Sequence, residues 1–227
     1  MELSGEGVAS EAEREALAEG VYRRLLRAIV AGDPAPGTRL KERELSERYA
    51  VSRVPVRQAI QRLEAEGFVM TEPHRGAVVR GTTTDDIHEL FDARLCVEPF
   101  ATRIAAERLG TGVGDPTRLA EILEGSREAF AAGDEPEGIS MNLAFHAEIV
   151  RLSGNRTLVH WLRPMLGRME WIFRLTHEAR EEDQILEHQQ LYDALVTGKG
   201  ELASAQAYSH IELGRDPILR SLAPYLD

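Results

Sequence analysis

A second cysteine is missing from this 227-residue chain: Cys96 stands alone, so no internal disulfide can form and no zinc site built on two or four cysteines is available. A reducing cytoplasm is the expected location. No run of about 18 apolar residues occurs, and the N-terminal stretch MELSGEGVASEAERE is acidic with no apolar core, so neither a membrane span nor a secretion signal is a candidate. Internal repeats and low-complexity tracts are lacking too. The expectation is a soluble chain with a sizeable core, divided into two domains.

Net positive charge is also absent. The formal charge of −11 argues against nucleic acid until it is divided along the chain. Residues 21–80 hold 12 basic side chains against 7 acidic ones, residues 81–227 hold 14 against 25, and the first twenty hold 1 against 6. A compact basic head on an acidic body points to a polyanion-binding module joined to something else.

In the head, Leu17, Val21, Leu25, Ala28 and Ile29 fall at helical spacing within residues 11–31, and GDPAPG breaks the helix. KERELSERY, Lys41 to Tyr49, predicts a short helix, Ala50-Val51 a tight connection, and Ser52 to Glu66 a second helix. Ser52 suits its N-cap, Pro55 lies harmlessly in its first turn, and Gly67 ends it. Phe68 to Thr71 and Ala77 to Arg80 then predict a small hairpin around Pro73 and Gly76. Helix, helix, turn, helix and hairpin make a winged helix-turn-helix.

That motif enters the major groove with the first turn of its second helix. Here the turn offers Ser52, Arg53, Val54 and Arg57. Arginine pairs bidentately with guanine O6 and N7, and Val54 suits a thymine methyl. Arg43, with Arg75 and Gly76 at the wing tip, would reach the backbone or minor groove. Neither Arg53 nor Arg57 has an acid three or four residues away, so neither has a helical ion-pair partner.

Beyond Gly81 strand signals stop. Thr83 or Thr84 is expected to cap a long helix containing Pro99, and breakers divide the remainder into helical segments 84–109, 116–132, 137–153, 156–180, 184–197 and 201–222. Three of these turn a histidine toward the expected core: His146 beside Ile149 and Val150, His188 in line with Ile185, Tyr192 and Leu195, and His210 between Ala207 and Leu213. Asn142 lies one turn before His146. Any one inward histidine is more often a hydrogen-bonded core residue. Three convergent ones present six ring nitrogens, and a divalent cation would take one from each. His74, His88, His160 and His177 show no such pattern and are expected at the surface or wing.

The segment GDPAPGTRLKERELSERYAVSRVPVRQAIQRLEAEGFV resembles the winged helix of the GntR family of bacterial transcription regulators, with SRVPVR and LEAEGFV its specific portions. The helical pattern behind it resembles the FadR-type effector domain, the FCD domain. The likeness extends from residue 18 to 215. It implies operator contacts by Arg43, Arg53, Arg57 and Gly76. Many relatives have serine where Lys41 stands; lysine cannot accept a capping hydrogen bond, so this helix start is expected to fray or to hold a phosphate. The resemblance also implies a metal held by a D-x3-H pair and two later histidines. His146, His188 and His210 match, and Asn142 stands where the aspartate is expected. A neutral oxygen there removes one negative charge, weakening the cation and favouring an anionic effector. Zinc is the first choice, nickel and manganese the alternatives. A small carboxylate is the implied effector, with Arg94 of ARLCVEPF its clamp; alternatively Arg94 and Glu98 are a simple surface i,i+4 pair. Trp171 and Arg174 are expected in core and surface respectively.

The whole reading is a mainly α protein, with a winged helix-turn-helix DNA-binding domain over residues 11–80 and an all-α six-helix FCD-like effector-binding and dimerisation domain over 81–227. A homodimeric cytoplasmic regulator, a repressor, is expected on double-stranded operator DNA. Rival readings are a metal sensor and a metal-dependent hydrolase, though Asn142 stands where a hydrolase's base would.

Overall fold

In a computed structural model, which describes residues 11–176 and 181–226, the chain divides into two compact units, residues 1–81 and 82–227. In the first unit α1 (Glu11–Val30) packs on α3 (Arg53–Ala65). Val21 and Leu25 of α1 and Val56 and Leu63 of α3 are all buried, and burying each such side chain stabilises by about 1.5–3 kcal/mol. Leu17, expected in that stripe, is exposed; Tyr22 and Leu26 are buried instead. The Tyr22 hydroxyl donates to the buried Glu66 carboxylate at 2.6 Å, and Arg62 covers the Tyr22 ring while pairing with Glu66 and Glu19.

Between them α2 (Glu42–Tyr49) begins at Lys41, whose side chain makes no cap bond and instead pairs with Glu44 at 2.7 Å. Ala50 closes α2 in a left-handed conformation, φ +53°, and supplies the tight connection. Ser52 occupies the N-cap of α3, but its side chain makes no capping hydrogen bond. Strands β1 (Val69–Glu72) and β2 (Gly76–Val79) pair antiparallel with Val69 opposite Val79, shifted by one residue from the expected runs. The shift places His74, φ +65°, and Gly76, φ +75°, in and beside the turn. Gly37 to Leu40, expected to be only the end of a turn, runs along the other edge of β2. Gly37 N donates to Val79 O at 2.9 Å and Leu40 N to Ala77 O at 2.8 Å.

The second unit is a helical bundle: α4 (Thr84–Gly110), α5 (Thr117–Ala132), α6 (Glu135–Leu152), α7 (Arg156–Thr176), α8 (Glu181–Val196) and α9 (Gly200–Leu222). Thr83, rather than Thr84, caps α4 through a reciprocal capping box with Asp86. Helix α4 lies against α6, α7, α8 and α9. Small residues allow the close approach of α4 and α9: Ala105 and Ala106 pack in one core with Ala203 and Ala207. Gly110 meets Gly198 so closely that a Cβ on Gly198 would lie 2.6 Å from Gly110 Cα. The expected α7 end at residue 180 and His177 lie outside the described residues.

Candidate functional site

The first unit carries the basic candidates on α2, the start of α3 and the wing. Arg43, Ser52, Arg53, Val54 and Arg57 are exposed, Val54 at 54%. Arg53 has neither hydrogen bond nor ion pair among the described residues. Arg57 does, contrary to the reading along its helix: its Nε and Nη2 donate to the two carboxylate oxygens of Glu42 at 2.7 and 2.8 Å. The partner comes from α2, fifteen residues back, where no helical spacing rule would find it. Arg43 sits 3.6 Å from Glu47. At the wing, Arg75 donates to Glu72 and to Gly37 O, and Gly76 has positive φ. Arg39 was missed: its Nη2 lies 3.8 Å from where a Cβ on Gly76 would sit, placed there by the bridge between Arg39 and Val78.

The second unit brings the three histidines together. His146 of α6, His188 of α8 and His210 of α9 are 2%, 2% and 7% exposed, and one ring nitrogen of each lies within 4.8 Å of the others. The helical line is not quite the expected one. Leu213 is exposed and Tyr192 only partly buried; Ile211 and Gly214 flank His210 in the core, and Leu191 and Leu195 follow His188.

Two carboxylates, neither assigned a part in the cluster from sequence, orient the rings. Glu98 of α4 accepts from His146 Nδ1 at 2.7 Å, and Glu187 of α8 accepts from His210 Nδ1 at 2.7 Å. Each bond fixes the tautomer that turns the Nε2 lone pair away from the carboxylate, the arrangement by which outer carboxylates support histidine ligands. His188, with no such acid among the described residues, stacks on Phe145 at a ring separation of 4.2 Å. Burial alone would raise the Glu98 carboxyl, but Arg94 and His146 outweigh it and hold it well below the usual range. Burial lowers His146 to about 4 despite Glu98, and burial with its cationic neighbours lowers His188 well below its ordinary value. Both shifts favour the neutral form of His146 and His188, the form a metal ligand must take.

Among the described residues, His146 Nε2 and, one turn earlier on α6, Asn142 Oδ1 are buried with no hydrogen-bond partner, while Asn142 Nδ2 donates to Gln184 Oε1 at 3.4 Å. His188 Nε2 and His210 Nε2 are 3.3 Å apart. Two nitrogens on a tetrahedral zinc stand about 3.4 Å apart, from Zn–N bonds of about 2.05 Å. The donor set therefore fits a zinc-class cation, and a hydrogen bond between His188 and His210 alone would leave His146 Nε2 orphaned.

Arg94 does pair with Glu98 across one helical turn, but the pair is buried rather than at the surface. Arg94 is 3% exposed, its Nε donates to Glu98 at 2.6 Å, and Nη2 reaches the other oxygen at 3.5 Å. Nη1 and the second Nη2 proton make no hydrogen bond among the described residues. Beside the cluster a small cavity is lined by Glu98, Thr102, His146, Ile149 and His210 among others, with room for about one water molecule. Trp171 is buried as expected, and Arg174, partly buried, pairs with Glu170. No described helix is long and apolar enough to cross a membrane.

Comparison with known proteins adds the family context. Residues 17–79 match the model of bacterial regulatory proteins of the gntR family, and residues 89–213 match that of the FCD domain. The gluconate operon transcriptional repressor of Bacillus licheniformis is 33% identical over 72% of this chain and 69% of its own length. The Nta operon transcriptional regulator of Aminobacter aminovorans is 29% identical over 81% of this chain and 86% of its own. A solved GntR transcriptional regulator of Rhodococcus sp. RHA1 superposes with a TM-score of 0.70 at 28% identity, covering 90% of this chain and 98% of that one.

Proposed function

This chain belongs to the GntR family of bacterial regulatory proteins, with an FCD domain behind its winged helix, and is a DNA-binding transcriptional regulator rather than an enzyme; from that premise we propose that it is a homodimeric repressor controlled by a divalent metal and a small carboxylate. Residues 11–80 are the DNA-binding part and 81–227 the effector and dimerisation part. The observation that carries the metal is the buried, partnerless Nε2 of His146 beside two further imidazoles.

His146, His188 and His210 would hold the cation, zinc by preference, with Asn142 supplying a neutral oxygen. When bound, the cation supplies positive charge and open coordination positions that attract a carboxylate. The protein's own part is to hold the ring tautomers through Glu98 and Glu187 and to exclude water with Ile149, Val150, Leu191 and Ile211. Of Arg94, Nη1 and the second Nη2 proton remain for an incoming anion, while its Nε and the other Nη2 proton are held by Glu98. Space for about one water is too little for a metabolite acid, so binding must part the helices that line the cavity. One of them is α4, which follows the winged helix directly in sequence. The repressor reading rests on similarity to a protein named a gluconate operon repressor. A two-fold dimer would set two recognition helices on the half-sites of a palindrome.

The test is a DNA-binding titration on a duplex selected by the protein from a random library, with metal and small carboxylic acids added separately. The expected result is that an acid weakens DNA binding only when zinc is present. A response to metal alone would make this a metal sensor and end the metabolite reading. In the same assay Arg53→Ala is expected to weaken binding to the selected duplex by about 1–3 kcal/mol and to relax sequence preference. Unchanged affinity would remove α3 as the recognition helix.

A further inference from the structure

We propose that Glu42 is a specificity-determining positioning residue of the DNA interface, holding the Arg57 guanidinium side-on so that its outer edge is presented to a base. The geometry is a parallel, two-bond fork, Nε to Oε1 at 2.7 Å and Nη2 to Oε2 at 2.8 Å, joining the first turn of α2 to the recognition helix. The pairings of Arg43 and Arg75 differ: Arg43 stands 3.6 Å from Glu47 on its own helix, and Arg75 pairs with Glu72 in its own hairpin. Among the described residues, Glu42 is the acid that ties one of these arginines to another helix. Hydrogen bonds from Arg57, with the charges of Arg57 and Arg53, keep its carboxyl ionised below the usual range.

An acid beside reading arginines needs a reason, because it repels phosphate. Stability provides only a small one: Arg57 is 59% and Glu42 33% exposed, and exposed pairs contribute little. Recognition provides a larger one. Arginine has five N–H groups in a rigid fork, and the side-on pair uses Nε–H and one Nη2–H. The edge formed by Nη1 and the second Nη2 proton stays free, and it matches guanine O6 and N7. Fixing the plane beforehand reduces the freedom lost on binding. The carboxylate meanwhile penalises arrangements in which Arg57 merely meets a phosphate, which is discrimination by repulsion.

The experiment uses the full chain, the library-selected duplex and a scrambled duplex of equal length, with fluorescence anisotropy over a salt series. Glu42→Gln is expected to tighten binding to the scrambled duplex while the preference for the selected one falls about tenfold. Arg57→Lys should cost preference in the natural background and little more once Glu42 is replaced, the signature of a coupled pair. Glu42→Asp keeps the charge but is a methylene too short, and should lose preference without gaining on scrambled DNA. An unchanged preference in Glu42→Gln, full preference in Glu42→Asp, or independent effects of Glu42→Gln and Arg57→Lys would each overturn the proposal. A merely structural Glu42 would lower both affinities in parallel, which also overturns it.

Discussion

Replacing His188 by alanine is expected to lower the zinc affinity of the helical unit by more than about 100-fold, because losing even an outer partner of a ligand costs roughly 10- to 100-fold. His188 makes the case cleanly: among the described residues no carboxylate holds its ring, and it stacks on Phe145 beside the other two imidazoles. His210→Ala should behave alike, though it also strips Glu187 of a partner. Competition with a chromophoric chelator gives the affinities, and a melting curve without metal checks that each variant folds. Asn142→Asp is the opposite experiment. It restores a charged oxygen one turn before His146 and is expected to tighten zinc binding by at least about tenfold. Retention of zinc at full affinity by both histidine variants would reduce the cluster to a hydrogen-bonded core.

Glu98→Leu is expected to cost the metal-free protein about 3–5 kcal/mol of stability, because removing one member of a buried ion pair leaves the other uncompensated. Arg94 would be left with a buried, unpaired guanidinium, and His146 would lose the acceptor for its Nδ1 proton. For a unit of this size the melting temperature should fall by roughly 6–20 °C. Adding Arg94→Leu should recover much of the loss, since replacing a whole buried pair by apolar groups is often near neutral. Failure of the second substitution to help would mean that Arg94 is not the source of the cost.

Acid should act on the same group of residues in the same direction. Glu98 is held below its ordinary 4.5, so the stability it lends is present above that value and is lost as pH falls through it. His146 is lowered from 6.5 to about 4, so between those values the unfolded chain binds a proton that the folded chain refuses. Metal-free protein is therefore expected to lose stability as pH drops from 6.5 toward 4. A flat melting profile across that window would contradict the neutral, buried assignment of His146.

Much of this was legible in the chain because it is local. The basic head announced itself in 60 residues of shifted charge. The wing followed from β-rich runs around Pro73 and Gly76, although the strands fell one residue away and the edge provided by Gly37 to Leu40 went unseen. Histidines at helical spacing among aliphatic residues marked the inward faces of α6, α8 and α9. Even there the pattern misjudged neighbours: Leu213 is exposed and Leu17 is exposed, because a 3.6-residue period says which residues share a face but not where the partner helix stops covering it.

Sequence by itself determined the elements, the two-part charge division, the candidate reading arginines and the three inward histidines, all set by short-range sterics, capping and hydrophobic periodicity. Tertiary structure alone decided what those side chains face. Glu42 reaches Arg57 across fifteen residues, Glu98 reaches His146 across forty-eight, and Glu187 reaches His210 across twenty-three. Arg94 changed from a surface cation to a buried one for the same reason. Such partnerships depend on how helices cross, and a crossing is fixed by packing along whole faces rather than by any spacing within one segment.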